Sequence, residues 1–333
     1  MSVRVNKMKK IKWGIVGPGN IANKFAKAVK NVEGAELVAV ASRSEERGKE
    51  FASKYDIPNI YSSYDKMACS DVDAVYISTP HPFHKPCAEI FLNLGKHVLC
   101  EKPICVNAED AITLKKCAEK NNVFLMEAMW TRFLPAIDEA LRIVKSGEIG
   151  EIRGLSADFC YSTTPEEEEK LFLSTMAGGS LLDVGIYGLT LASIFLGNNP
   201  VEIDATSDVK NCVDYHTSIT LKYENGEIAN ITSAINVIKP ENGFIYGTKG
   251  YITLPHFYGA TELVVNTIDG ERRISKPCIG DGFEEEILEA CRCIREGRQQ
   301  SDIMPMSESI KMLELMDTIR AKTGVRYPFE KCE

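Results

Sequence analysis

The chain has 333 residues, 44% hydrophobic and 26% charged, and its 39 Lys and Arg stand against 47 Asp and Glu for a net charge of −8. That length suits two domains with sizeable cores, and the composition is that of a globular protein. The acidic balance argues against nucleic acid or an anionic membrane as a main partner, and any polyanionic cofactor must be held by local cations.

No signal peptide is expected at the basic start (Lys7, Lys9, Lys10), so the eleven cysteines are read as free thiols in a reducing cytoplasm. None shows C-x-x-C spacing, and Cys291 and Cys293 are two apart on a predicted helix and point in different directions. No metal is expected, and no apolar run is read as long enough to span a bilayer.

Residues 11–16 (IKWGIV) are predicted as a strand ending at Gly17-Pro18-Gly19-Asn20, followed by a helix with Ile21, Phe25, Ala28 and Val29 on one face. The pattern Gly17-x-Gly19-x-x-Ala22 gives a tight turn, a close backbone approach and a small residue for helix–strand packing. Gly17, Gly19, Asn20 and Ile21 are therefore expected at a dinucleotide pyrophosphate, which the helix N-terminus favours. A second strand, 35–41, ends in Ser42-Arg43-Ser44 with no carboxylate at its tip. A free ribose 2′-OH usually meets an acid there, whereas Ser42, Ser44 and Arg43 suit a 2′-phosphate, with Arg47 as a helper. NADP is expected over NAD.

A short strand at Asn59-Ile60-Tyr61 precedes one at 74–78, which runs into Thr79-Pro80-His81-Pro82-Phe83-His84. Thr79, Pro80, His81 and His84 are expected to line the cofactor crevice, the histidines serving either cofactor contact or packing at a helix start. A helix over 85–93 leads to the strand 96–100 and to Glu101-Lys102-Pro103. A lysine at a strand's carboxyl end in such a sheet lies over the ligand crevice, where its charge lowers the pKa of a nearby acid. A helix around 108–120 and a strand over 123–127 complete this half. Alternating strands and helices mean a parallel, doubly wound sheet, a Rossmann domain assigned to residues 1–128.

Residues 129–333 follow a different grammar. Met129-Trp130-Thr131-Arg132-Phe133 lies at the junction, where Trp130 and Arg132 are candidates to wall a nicotinamide or hold a polar substrate group, with packing and an interdomain ion pair as the structural readings. A helix is expected over 135–145, then strands at 150–161, 201–210, 213–223, 226–236, 242–247, 250–254 and 261–276. Glu224-Asn225-Gly226-Glu227, Thr248-Lys249-Gly250 and Asp269-Gly270 are turns, and Glu166 to Glu169 is a solvated acidic run. The result is an α+β domain with a large, mostly antiparallel, open-faced sheet, helices at 282–296 and 305–323, and a homodimer expected through the uncovered face. Residues 178–196 open an apolar helix on which Asp183 and Tyr187, four apart, share a face. That pair is either a structural hydrogen bond or a proton relay. A tyrosine beside Lys102 suits alcohol oxidation, because the cation draws a phenol pKa towards neutrality.

In this order, Gly17-x-Gly19-x-x-Ala22, Thr79-Pro80-His81-x-x-His84, Glu101-Lys102-Pro103 and Asp183-x-x-x-Tyr187 resemble the glucose-fructose oxidoreductase/inositol dehydrogenase (Gfo/Idh/MocA) family over nearly the whole chain. Residues 126–133 and 182–187 are most similar to the dimeric dihydrodiol dehydrogenase group, which includes NADP-dependent D-xylose dehydrogenases. The resemblance implies that Lys102 lies beside nicotinamide and substrate, with Glu101 near the nicotinamide end. It implies Tyr187 as proton carrier, Lys102 as its electrostatic partner, Asp183 as the orienting carboxylate, and Phe159 and Phe283 as substrate-side aromatics. Tyrosine stands where many sugar and inositol members have histidine, which disfavours cyclitol dehydrogenation. The expected activity is NADP-dependent hydride transfer to or from a CH–OH or carbonyl carbon of a sugar or cyclic diol. The alternatives are reduction of dicarbonyl or anhydro-sugar substrates, or a non-catalytic dinucleotide sensor.

Overall fold

The computed structural model of the protein describes residues 10–164 and 173–330. Lys7, Lys9 and the run Glu166 to Glu169 lie outside the described residues. The chain forms two compact units: the first is the chain up to Ile104 with Thr113–Ala128 and Ile279–Met306, the second Cys105–Ile112, Met129–Cys278 and the chain from Ser307 on.

The first unit holds a six-stranded parallel sheet in the order β3-β2-β1-β4-β5-β6. Its strands are β1 (Ile11–Val16), β2 (Ala35–Ala41), β3 (Asn59–Tyr61), β4 (Ala74–Ile77), β5 (His97–Glu101) and β6 (Leu125–Ala128). Ile15 pairs with Val40 on one side and Tyr76 on the other, so the order reverses between β1 and β4, where ligands bind in sheets of this kind. Every residue of β4 is buried, as a central strand covered on both faces requires, while the short β3 forms an edge. Phe25 of the helix Asn20–Ala28 stacks on Tyr76 with centroids 4.0 Å apart, and Trp13 meets the Phe25 ring edge-on at 5.5 Å. Burying each such ring contributes roughly 1.5–3 kcal/mol.

The helix Phe283–Arg295 departs from the boundary expected at residue 128. It joins the first unit, with Ile287, Ala290 and Cys291 fully buried. Arg295 donates to the Gly34 carbonyl at 2.8 Å, Asn31 donates to the Glu284 carboxylate at 2.8 Å, and the Leu125 N–H donates to the Gln299 carbonyl at 3.0 Å. Apolar periodicity identifies such a helix but does not say which surface its apolar face meets.

The second unit holds an eight-stranded sheet in the order β14-β13-β12-β11-β7-β10-β9-β8. These strands are β7 (Ile152–Cys160), β8 (Glu202–Lys210), β9 (Val213–Lys222), β10 (Ile228–Ala234), β11 (Gly243–Gly247), β12 (Gly250–Leu254), β13 (Glu262–Thr267) and β14 (Gly270–Ser275). All neighbours are antiparallel except β7 and β10, and burial along β9 alternates towards its end, the mark of one solvated face. The strand segment expected over 261–276, with its turn at Asp269-Gly270, is a hairpin of β13 and β14 in which Gly270 takes φ +120°.

The expectation that no run is long enough to cross a bilayer also needs correction. Ser174–Leu196 passes by length and composition, but 78% of its most apolar stretch is buried inside the protein. A helix that is apolar on every side belongs in a core. Ten described cysteines are free, and among the described residues no group of three or more His, Cys, Asp or Glu is placed to hold a metal.

Candidate functional site

In the first unit the predicted cofactor residues gather at the carboxyl ends of β1, β2, β4 and β5. Gly17 adopts φ +85°, and a Cβ there would stand 3.1 Å from the Thr79 methyl and 3.3 Å from the Ser78 carbonyl, so glycine is required by both conformation and space. A Cβ on Gly19 would meet only the Ser78 carbonyl, at 3.8 Å, which leaves its outward side open for a ligand. Gly19 is the N-cap of the Asn20–Ala28 helix and no side chain caps it; Asn20 is exposed and Ile21 half-buried in its first turn. Those N–H donors and the absence of an acid in that turn fit a pyrophosphate.

Beyond β2, the Ser42 hydroxyl oxygen accepts from the Ser44 N–H at 3.2 Å, and the Ser44 oxygen caps the next helix by accepting from the Arg47 N–H at 3.3 Å. Each hydroxyl proton remains to donate. Arg43 and Arg47 are exposed, and the Arg43 guanidinium lies 5.3 Å from the centre of the Phe83 ring. Phe83 was not singled out from sequence; it comes from the turn after β4, which the sheet separates from β2 by β1, and only the folded chain brings it near Arg43. The set fits a phosphorylated ribose and a flat base, with no carboxylate at the strand tip to oppose it.

Thr79, Pro80 and His81 form the loop after β4, with Pro80 exposed and His81 half-buried. His84 is buried, and both its ring nitrogens meet backbone carbonyls: Nδ1 the Pro103 oxygen at 2.8 Å and Nε2 the Thr79 oxygen at 2.6 Å. Burial lowers its pKa to about 3, aided by His81 and Lys102 and opposed by the two carbonyls. A neutral His84 has a single N–H and so donates to only one of these carbonyls, while its buried ring packs between the Thr79 loop and the Lys102-Pro103 turn. Lys102 is half-buried. Glu101 accepts from the Tyr76 hydroxyl and from the Lys102 N–H, and burial raises its pKa despite both. Phe283 is also in this unit, buried, with the Lys24 ammonium 5.4 Å from its ring centre.

The second unit gathers Trp130, Phe159, Asp183 and Tyr187. Tyr187 opens the helix Ile186–Leu196, is 8% exposed, and its phenol oxygen accepts from the Trp130 Nε1–H at 3.2 Å. Phe159 lies 5.5 Å from Tyr187 and stacks on Tyr258 at 4.0 Å with planes 12° apart. Tyr258 was missed. Its hydroxyl donates to Glu241 at 2.9 Å, and burial, reinforced by that bond, holds it a neutral phenol. The Thr131 hydroxyl fixes the Tyr258 carbonyl at 2.6 Å, and a Cβ on Gly259 would stand only 2.7 Å from the Trp130 ring.

Asp183 lies in the π-helical turn Leu181–Gly185, where its carboxylate accepts from the Tyr161 hydroxyl at 2.7 Å. Buried Asp214 anchors that turn by accepting from the Leu181 N–H and the Ser180 hydroxyl, each at 2.7 Å, and from the Thr217 hydroxyl at 2.9 Å. Gly179, at φ +135°, leaves no room for a Cβ, which would fall 2.1 Å from Asp214 Oδ1. Arg132 pairs with Glu308 at 2.8 Å and donates to the Ser193 hydroxyl at 2.5 Å, an ion pair inside this unit. The wet end of such an aromatic box, with a phenol and a carboxylate, suits a small polyhydroxylated or cyclic ligand that exchanges a proton.

Known proteins resemble this chain in sequence and in fold. Residues 11–129 match the oxidoreductase family model with an NAD-binding Rossmann fold, GFO_IDH_MocA, and residues 137–253 match the GFO/IDH/MocA C-terminal domain. The trans-1,2-dihydrobenzene-1,2-diol dehydrogenase of Mus musculus is 35% identical over 337 residues, covering 96% of this chain and 99% of that protein. Its Homo sapiens counterpart is 34% identical with the same coverage. A 3-ketoreductase from Actinomadura kijaniata, solved with NADP and TDP-benzene, superposes with a TM-score of 0.87 at 25% identity, covering 95% of this chain and 98% of that one. The aldose-aldose oxidoreductase of Caulobacter crescentus gives 0.86 at 25% identity with the same coverage.

Proposed function

This chain belongs to the GFO/IDH/MocA oxidoreductase family, and from that premise we propose that it is an NADP-dependent dehydrogenase of a sugar or cyclic diol, with Tyr187 as its acid/base. The observation that carries the reading is the buried Tyr187 phenol, whose oxygen receives the Trp130 N–H inside an aromatic box. NADP is the cofactor: Gly17, Gly19, Asn20 and Ile21 suit its pyrophosphate, and Ser42, Arg43 and Arg47 its 2′-phosphate. Thr79, Pro80 and His81 line its path, and Glu101 lies towards its nicotinamide end. When bound, it supplies or receives a hydride at the nicotinamide ring.

The chain's own residues do the rest. Tyr187 takes the proton of the substrate hydroxyl in oxidation and returns it in reduction. The Trp130 N–H stabilises the negative charge that develops on the phenol oxygen, and the Lys102 ammonium adds a fixed positive charge for the same purpose. Asp183, held by Tyr161, orients the substrate, and Phe159, with Tyr258 stacked on it, covers an apolar substrate face. Phe283 supplies a further aromatic on the substrate side. Neither the dihydrobenzenediol named for the relatives nor the sugars named for the structural neighbours is singled out by these contacts, which suit any compact ring bearing adjacent hydroxyls.

The enzyme acts as a homodimer through the open face of its large sheet, where Tyr246 and Tyr251 pair across β11 and β12 and each remains 40% exposed. The free thiols suit the cytoplasm. The test is titration of bound NADP fluorescence with a panel of aldoses and cyclic diols, followed by turnover of those that bind. Turnover of at least one with NADP, and less with NAD, is expected. Binding without turnover would reassign the chain as a sensor.

A further inference from the structure

Three titratable side chains inside the first unit take no part in the reaction described above. Tyr76, on the fully buried β4, donates its hydroxyl proton to Glu101. Glu101, at the end of β5, is 7% exposed and also accepts from the Lys102 N–H at 3.2 Å. Glu286, on the helix Phe283–Arg295, is 0% exposed, and neither carboxylate oxygen has a hydrogen-bond partner. The charged group that acts on Glu286 is Glu101, another acid; Tyr76 interacts with both carboxyls and with Cys100, and Glu101 further with Lys102 and Glu127. Among the described residues no cation acts on Glu286.

An ionised carboxylate so placed would lose its hydration without recompense, and two neighbouring carboxylates in a dry site do not both ionise. We infer that Glu286 keeps its proton at neutral pH while Glu101 is ionised, so that the Tyr76–Glu101–Glu286 cluster holds one negative charge behind Lys102. Burial and the charge of Glu101 both raise the Glu286 pKa, in the same direction. Glu286 is then a positioning residue that acts through Glu101. A single negative charge balances the Lys102 ammonium. A second, released at high pH, over-stabilises that ammonium and opposes the phosphates of a dinucleotide. The consequence for Lys102 rests on the reading of Lys102 given under Proposed function; the protonation itself does not.

Infrared spectroscopy of the full chain carrying 13C-labelled glutamate tests this at pH 8. A carbonyl band of a protonated carboxylic acid, shifted by the label and lost in Glu286→Gln, is expected; the label separates it from buried Asp214. The pH profile of kcat/KM should show an alkaline inflection in the wild type that Glu286→Gln removes. Absence of a label-sensitive band, or its survival in Glu286→Gln, overturns the inference. If that variant does not fold, Tyr76→Phe, which keeps the ring against Phe25 but removes the hydrogen bond to Glu101, must move the band; an unmoved band overturns the coupling of the two carboxyls. The band needs no turnover, so its presence in an enzyme whose Lys102 proves dispensable would fault only the role given to Lys102.

Discussion

At the ends of β1 and β4 the first unit offers mainly backbone to a ligand: the Gly17 turn, the open side of Gly19 and an uncapped helix N-terminus. The second unit offers side chains instead, with Trp130, Phe159, Asp183, Tyr187 and Tyr258 each fixed by a partner in a different element. Backbone recognition demands glycine at set intervals and grips a chemical feature shared by every dinucleotide. Side-chain recognition assembles residues from far apart and can be retuned one position at a time. The first unit should therefore fix the cofactor, and the second the chemistry and the substrate.

The sharpest way to break that division is Tyr187→Phe. Turnover should fall about 10²–10⁴-fold, the usual worth of a general acid/base, while NADP affinity by fluorescence titration stays put. Trp130→Phe, which deletes only the N–H on the phenol oxygen, should cost about tenfold in kcat, the equivalent of one hydrogen bond. If Tyr187→Phe turns over normally, the acid/base role passes to Lys102; if Lys102→Met is also fully active, neither assignment stands.

Next in size is Asp214→Ala. It leaves the Leu181 N–H and two hydroxyls without their acceptor, and urea unfolding should report a loss of about 2–3 kcal/mol. Gly179→Ala should destabilise in the same direction, since its methyl would meet the Asp214 carboxylate. Melting that is unchanged in both variants would mean that the turn carrying Asp183 is held by something other than Asp214.

Arg43→Ala belongs wholly to the first unit. It should reduce the preference for NADP over NAD by about 10–100-fold in kcat/KM, the worth of a charge-assisted phosphate contact of about 1.5–3 kcal/mol. Unchanged preference would exclude Arg43 from the 2′-phosphate.

The smallest effect comes from pH. His84 is neutral in the folded chain with a pKa of about 3, whereas an unfolded histidine titrates near 6.5. The unfolded state therefore takes up the proton first, so this contribution is complete above pH 6.5 and is lost as pH falls from there towards 3. Between pH 6.5 and 5.5 the wild type should lose roughly 1 kcal/mol relative to His84→Gln, read as the difference in melting across that interval. Glu286, whose pKa is raised, contributes with the opposite sign, which is why the comparison is made against the variant. Parallel pH slopes would mean that His84 is not held neutral.

Sequence disclosed the first unit almost completely, because a strand, a glycine turn and a helix follow one another along the chain and local physics determines each. It was silent on Phe83 beside Arg43, since that contact joins residues 40 apart in the chain from two strands that are not neighbours, and spacing does not reveal it. In the second unit, helical spacing put Asp183 and Tyr187 on one face, but Asp183 lies in a π-helical turn ahead of the α-helix, and nothing in the spacing signalled that Tyr161, just past β7, holds it. Tyr258 was equally hidden, in a short turn after β12 with no periodicity to mark it. The helix Phe283–Arg295 was found in outline yet placed in the wrong unit, because an apolar stripe carries no address.

Gly259 touches the Trp130 ring through space that no side chain fits, and its backbone is not in a conformation reserved for glycine. Any larger residue there must shift the buried indole. Position 259 is thus a shim: it sets the seating of a ring whose N–H meets the Tyr187 phenol oxygen, without contributing a chemical group of its own. If Tyr187 is the acid/base proposed, substitution at 259 should alter turnover through the indole alone, and the position would escape a search confined to residues with chemistry.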